Sequence, residues 1–212
     1  MEIHAYDEMY IESAQNIMGH MFDFAINEVG IDSDKYAGMF AISPIAIQME
    51  KGNPTYVAGK TGPEIVRLVL ETAGYNVPIP QDKMYIDRSP EYWGGWVLSY
   101  YQWVRDLHFS YILKAVHFSE LLRMYPVFHE MDIMKFVEEL DYKLQTYYPD
   151  TALKRYRTRL GISQKELSIK SGVSLRQIQL FEQRQRDIRK SQAETVLQLS
   201  KALGCDMKDL IM

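Results

Sequence analysis

Between Ser163 and Gln183, the run SQKELSIKSGVSLRQIQLFEQ holds two short helix patterns on either side of Gly172-Val173. Ser163 stands three residues before Glu166, and Ser174 three before Gln177, so each pattern opens with a capping-box pair. In such a pair the side chains satisfy backbone donors that the first turn of a helix leaves open. A glycine turn then locks the two helices at a fixed angle. No other stretch of the chain restricts its own folding so tightly.

The charge distribution gives this segment a context. The formal net charge of −4 hides an asymmetry. Residues 151–212 hold 13 Lys and Arg against 6 Asp and Glu, a net +7. Residues 1–150 hold 11 against 22, a net −11. A basic tail is the electrostatic footprint of phosphate binding, and an acidic body is repelled by nucleic acid. Two helices at a fixed angle are also the minimal device for placing one helix in a DNA major groove.

Composition changes at the same place as charge. All the histidines and tryptophans, and all Tyr and Phe except Tyr156 and Phe181, fall within residues 1–150, which end at Tyr148-Pro149-Asp150. Two domains are therefore expected, an acidic aromatic-rich one over 1–148 and a basic one over 151–212. An apolar content of 47% supports folding throughout. The lone Cys205 excludes a disulfide framework or a thiolate metal cage within one chain, and its place just past Gly204 reads as a small buried apolar residue. No basic-then-apolar leader opens the sequence and no apolar run reaches membrane-spanning length. The expectation is a cytoplasmic protein without a membrane partner.

Periodicity predicts an all-α fold. Ile11, Ala14, Met18, Met21, Phe22, Ala25 and Val29 form a 3.6-period stripe within a helix over 9–29 that Gly30 can end. Ser43-Pro44, the capping box Thr61–Glu64 and Ser89-Pro90 each open a further helix. Asn76–Arg88, with two prolines, predicts an ordered loop or a short extended piece. HFSYILKAV from His108 and HFSELLRMY from His117 echo each other, with Ser110 and Ser119 as expected helix caps. Asp132 begins a helix ending near Tyr147. Strand-like alternation is absent.

Four motifs have simpler readings. Gly59-Lys60-Thr61 resembles the end of a phosphate-binding loop, but Pro54 stands where that loop needs glycine and a helix precedes it. His20 and Asp23 share a helix face, and His129-Glu130 opens a HExxH-like string that fails at its last position; neither has ligand spacing. Tyr92, Trp93, Trp96, Tyr100, Tyr101 and Trp103 could line a stacking or ligand pocket. At helical spacing they are more often core, yet they cover too many faces for one buried side, which points to the domain centre or a partner surface. No metal, cofactor or catalytic residue is expected.

From about Leu153 to Met212 the chain resembles the Cro/lambda-repressor class of helix-turn-helix domains, the XRE family. Leu153, Tyr156 and Arg157 carry this, with SQKELSIKSGVS, IQLFEQ and ETVLQLSKALGCDMKDLI after them. The resemblance implies five helices, the second near 163–171 and the recognition helix near 174–184. It implies core positions at Leu167, Val173, Ile178, Phe181, Leu197, Ala202 and Leu203, and an ion pair of Arg157 with Glu182. It also implies a contact from Gln164 to phosphate and the first base, and a groove-facing side of Leu175, Arg176, Gln179 and Gln183. Chemistry supports those types independently, since Arg176 suits a guanine edge, Gln179 adenine and Leu175 a thymine methyl. Ser163 and Ser174 are expected at phosphates, joined by Arg184, Arg186, Arg189 and Lys190, a basic loop where the family usually has glycine near 184. Ser168 and Ser171 replace commonly small apolar residues, so looser packing is expected there. Ile169, in a usually polar place, is a candidate docking point for the N-terminal domain.

A single such unit reads too few base pairs, so the resemblance implies a homodimer on an inverted repeat, with half-sites about 10–10.5 bp apart or a multiple of that. The leading expectation is a repressor whose residues 1–148 supply dimerisation and a sensing or partner surface. The alternative is an antitoxin that neutralises a toxin protein through 1–148 and represses its own operon. A fused enzyme is a third reading, disfavoured because no nucleophile–base pair, metal set or phosphate loop is present.

Overall fold

Asp7 accepts the Met9 amide and opens a 3-10 turn, Glu8–Tyr10, that runs into helix α1, Ile11–Asp23. A π-type turn over Phe24–Glu28 extends it, and Gly30 follows in the left-handed region at φ 76°. The structure is a computed structural model in which residues 4–81 and 88–211 are described. Of the loop expected over 76–88, residues 76–81 and 88 are irregular, and 82–87 lie outside the described residues. Among the described residues there is helix and no strand. None of these helices is long and apolar enough to cross a membrane.

The chain divides into two compact units, 1–147 and 148–212. After α1, the first unit holds α2 (Ser33–Ala41), α3 (Pro44–Glu50), α4 (Pro54–Val57) and α5 (Gly62–Thr72). It continues with α6 (Pro90–Arg105), α7 (Phe109–Ala115), α8 (Phe118–Phe128) and α9 (Ile133–Tyr147). Ser43, Asn53, Thr61 and Ser89 each cap a helix that has proline in its first turn, and Thr61–Glu64 closes a reciprocal capping box. Proline fits there because its missing N–H would have had no intrahelical partner.

α1 and α6 form the centre of this unit, pressed together at two glycines. A Cβ on Gly19 would lie 2.7 Å from the Tyr92 ring, and one on Gly95 would overlap the Met18 carbonyl oxygen. Around this crossing Phe22 stacks on Phe118 at 4.0 Å and meets Tyr36 edge-on at 5.4 Å. The central place of α6 explains why it is apolar nearly all round. Tyr92, Tyr101 and Trp103 are buried; the Tyr101 hydroxyl donates to Asp141 at 2.9 Å and the Trp103 indole to the Tyr6 carbonyl at 2.8 Å.

The echoed segments do form helices of similar build, but their caps differ from expectation. α7 and α8 begin at Phe109 and Phe118, so Ser110 and Ser119 sit inside the first turn rather than before it. The open backbone donors are met from elsewhere in the fold. Glu50 of α3, 3% exposed, accepts the Phe109 amide at 2.7 Å. Asp34 of α2 accepts the Ser119 amide at 2.8 Å.

The second unit contains α10 (Ala152–Arg159), α11 (Gln164–Ser171), α12 (Leu175–Glu182), α13 (Ala193–Leu203) and α14 (Met207–Ile211). A 3-10 turn, Ile188–Lys190, lies between α12 and α13. Leu153, Leu167, Val173, Ile178, Phe181, Val196, Leu199, Leu203 and Leu210 make its core, with Ala202 and Cys205 packed partly against it. Leu197, expected in that core, is 39% exposed. The inward stripe of α13 runs through Val196, Leu199 and Leu203, and Leu197, one residue round the helix, falls outside it. Burial, then the nearby Asp209 and Asp206, push the Cys205 thiol up to about 11, so little reactive thiolate forms at neutral pH.

Candidate nucleic-acid interface

α11 is closed at both ends by side chains and one special backbone position. At its start Glu166 N–H donates to Ser163 Oγ at 3.1 Å, and Ser163 N–H donates to Glu166 Oε2 at 2.7 Å. At its end Gly172 adopts φ 73°, where an L-residue would be strained, and its N–H reaches the Ser168 carbonyl. α12 has half of the same device. Gln177 N–H donates to Ser174 Oγ at 3.3 Å, but the Gln177 side-chain oxygen takes the Ser174 hydroxyl at 3.1 Å instead of the Ser174 amide.

Ser168 and Ser171 tighten the turn instead of loosening it. Ser171 Oγ donates to the Leu167 carbonyl at 2.7 Å and accepts the Val173 amide at 3.2 Å, while Ser168 Oγ donates to the Val173 carbonyl at 2.7 Å. Small apolar residues would pack here but could not fill these roles. The sequence signal was two hydroxyls within one turn of Gly172, and its meaning depended on the turn geometry.

α12 is fixed from below by Ile178, Phe181 and Glu182, all buried. Arg157 of α10 donates Nε to Glu182 Oε1 at 2.6 Å and Nη2 to Oε2 at 2.9 Å. The two side chains are 13% and 3% exposed, so this fork-to-fork pair is largely out of water. A third Arg157 bond, Nη1 to the Ile162 carbonyl at 2.8 Å, ties α10 to the entry of α11. Gln164 spends one amide N–H on Glu182 Oε2 at 2.8 Å, which orients its side chain at the start of α11.

On the adjoining face of α12, Leu175, Arg176 and Gln183 are exposed and Gln179 is half-buried. At 3.6 residues per turn these four share an arc of about 100°. Past the helix, Arg184, Arg186, Arg189 and Lys190 are exposed. Arg184 sits at φ 56°, the left-handed region that favours glycine, and its guanidinium donates to the Tyr148 carbonyl at 2.8 Å. Arg189 is pinned on Asp187 at 3.1 Å, and the Arg186 guanidinium lies 5.9 Å from the Phe181 ring centre. Ile169 is 75% exposed. Lys165, next to Gln164 and exposed, was not singled out from sequence.

Among the described residues no group of three His, Cys, Asp or Glu side chains is placed to hold a metal ion. Residues 153–210 match the family described as Helix-turn-helix. No curated protein and no solved structure matches the chain. The match falls on the unit built from α10 to α14, and the chain ahead of it stays unassigned. Its C-terminal unit is thus an XRE-type helix-turn-helix domain, and the protein is a DNA-binding regulator.

Proposed function

We propose that the protein is a transcriptional repressor that binds an inverted repeat as a dimer, with α12 as its recognition helix. The observation that carries this is the face of Leu175, Arg176, Gln179 and Gln183, turned away from the core on a helix held at its back by the Arg157–Glu182 pair. Arg176 and Gln179 supply bidentate donors and acceptors for base edges, and Leu175 an apolar contact. Ser163, Ser174, Arg184, Arg186, Arg189 and Lys190 bring hydroxyls and positive charge to the segments before and after α12, and they hold phosphates. Gln164, oriented by Glu182, contacts phosphate and the first base. Residues 1–148 supply the dimer contact and the sensory surface.

The reading is tested by sedimenting full-length protein with duplexes recovered by selection from a random pool. Two chains per duplex on an inverted repeat, with half-sites about 10–10.5 bp apart or a multiple of that, are expected. One chain on a site without symmetry contradicts the dimeric repressor. The net −11 of residues 1–150 also favours an antitoxin reading, in which this acidic unit masks a basic toxin. Co-expression with the protein encoded beside it tests that reading, which fails if no complex forms.

A further inference from the structure

A cavity of about 400 Å³ opens in the N-terminal unit among the first half of α6, the end of α8 and the start of α9. Trp93, Trp96, Tyr125, Phe128 and Phe136 are among the residues of its wall. The volume lies within the range of small-molecule sites, roughly 300–1,000 Å³. The walls are braced rather than loose. Trp93 stands edge-on to both Tyr125 and Phe136, with ring centres 5.5 Å apart in each case. Neither Trp93 nor Trp96 is fully buried, and among the described residues neither indole N–H has a hydrogen-bond partner. α6 thus places two partly exposed tryptophans on the cavity.

The polar groups of the lining select the ligand's charge. Among the described residues, Arg88 and His129 are the lining side chains that can carry charge apart from the tyrosines, and none of the described lining residues is a carboxylate. Arg88 lies over the Tyr92 ring, 4.8 Å from its centre. His129 is held by stacking on Tyr125 at 4.5 Å and by Nδ1 on the Tyr125 carbonyl at 2.8 Å. An aromatic box for a cation relies on ring faces free of competing positive charge. Here an arginine already occupies one such face, so a cationic ligand would be repelled. A flat anion uses both parts of the site, its ring system against the indoles and its acid group on the Arg88 guanidinium.

We propose that this cavity is a binding site for a planar aromatic monoanion, with Trp93 and Trp96 as the stacking surface and Arg88 as the anion partner. It rests on and sharpens the sensory role given to residues 1–148. Its test reads ligand binding alone, so its failure is distinct from failure of the DNA reading.

The test titrates full-length protein with 8-anilinonaphthalene-1-sulfonate and follows energy transfer from tryptophan, all of which lies in residues 1–150. Saturation at one dye per chain is expected. The neutral analogue N-phenyl-1-naphthylamine should bind at least about fivefold more weakly, as loss of one charge-assisted contact implies. Arg88→Gln, at an exposed position, should weaken the sulfonate by about fivefold or more and leave the neutral analogue within about twofold. Ile133→Trp, which fills the cavity, should abolish both. Non-saturable dye uptake, equal affinity for the neutral analogue, or indifference to Arg88→Gln each overturns the proposal. Because Arg88→Gln leaves the packed interior untouched, it decides the matter even if Ile133→Trp does not fold.

Discussion

Glu182 accepts three hydrogen bonds in the C-terminal unit, two from Arg157 and one from Gln164. Removing one member of a buried pair strands the other, so Arg157→Ala should cost about 3–5 kcal/mol in thermal or denaturant unfolding. Replacing both by apolar residues, as Arg157→Met with Glu182→Leu, should cost much less, because the desolvation of both charges is relieved together. Equal losses in the single and double variants would show that the pair is not what matters. Arg184 offers a backbone test. Its φ of 56° is costly for any residue with a Cβ. Arg184→Gly should therefore be more stable to unfolding than Arg184→Ala, by about 1 kcal/mol after glycine's extra unfolded-state entropy is subtracted. The reverse order would contradict the left-handed assignment. At this scale the Arg157–Glu182 pairing was legible from resemblance, whereas the roles of Ser168 and Ser171 were not. A hydroxyl's partner is set by where the turn puts Leu167 and Val173, and no spacing rule states that.

Helices with an obvious cap in the sequence begin where the sequence says. Ser43, Thr61, Ser89, Ser163 and Ser174 all accept the amide expected of them. α7 and α8 start before Ser110 and Ser119, the caps expected of them, and carboxylates distant in sequence, Glu50 and Asp34, do the work. Such caps form only after tertiary packing and cannot be read locally. Burial raises the Asp34 carboxyl, but the Ser119 amide and hydroxyl, with His117 and the Phe118 amide, together outweigh it and hold it below its ordinary value. Its contribution is therefore present above the unfolded carboxylate range and is lost as pH falls through the lower folded value. Asp34→Ala should cost about 0.5–2 kcal/mol at neutral pH, typical of a lost N-cap. The gap between variant and wild type should close in acid; a gap that widens below the carboxylate range would reverse the sign argued here. α13 shows the limit of borrowing a pattern. The resemblance put Leu197 inward, but the stripe of Val196, Leu199 and Leu203 turns it out.

At the scale of the molecule, charge and composition both change near Tyr148, and among the described residues the elements of each unit are helices. The all-α class and the character of the C-terminal unit were legible because helix periodicity and capping signals are local. The cavity was half legible. The aromatic run of α6 was visible, but whether it made core or pocket depended on α8 and α9, which arrive from later in the chain. Its residues turn out to be divided, with Tyr101 and Trp103 packed inside and Trp93 and Trp96 on the cavity.

The central claim is that the outer face of α12 reads bases, and base-by-base specificity profiles of full-length wild type and Arg176→Ala test it most directly. The account predicts that the variant loses about 1–3 kcal/mol on the preferred site and flattens preference at one base pair in each half-site. An unchanged profile with unchanged affinity would contradict it and move recognition to another surface.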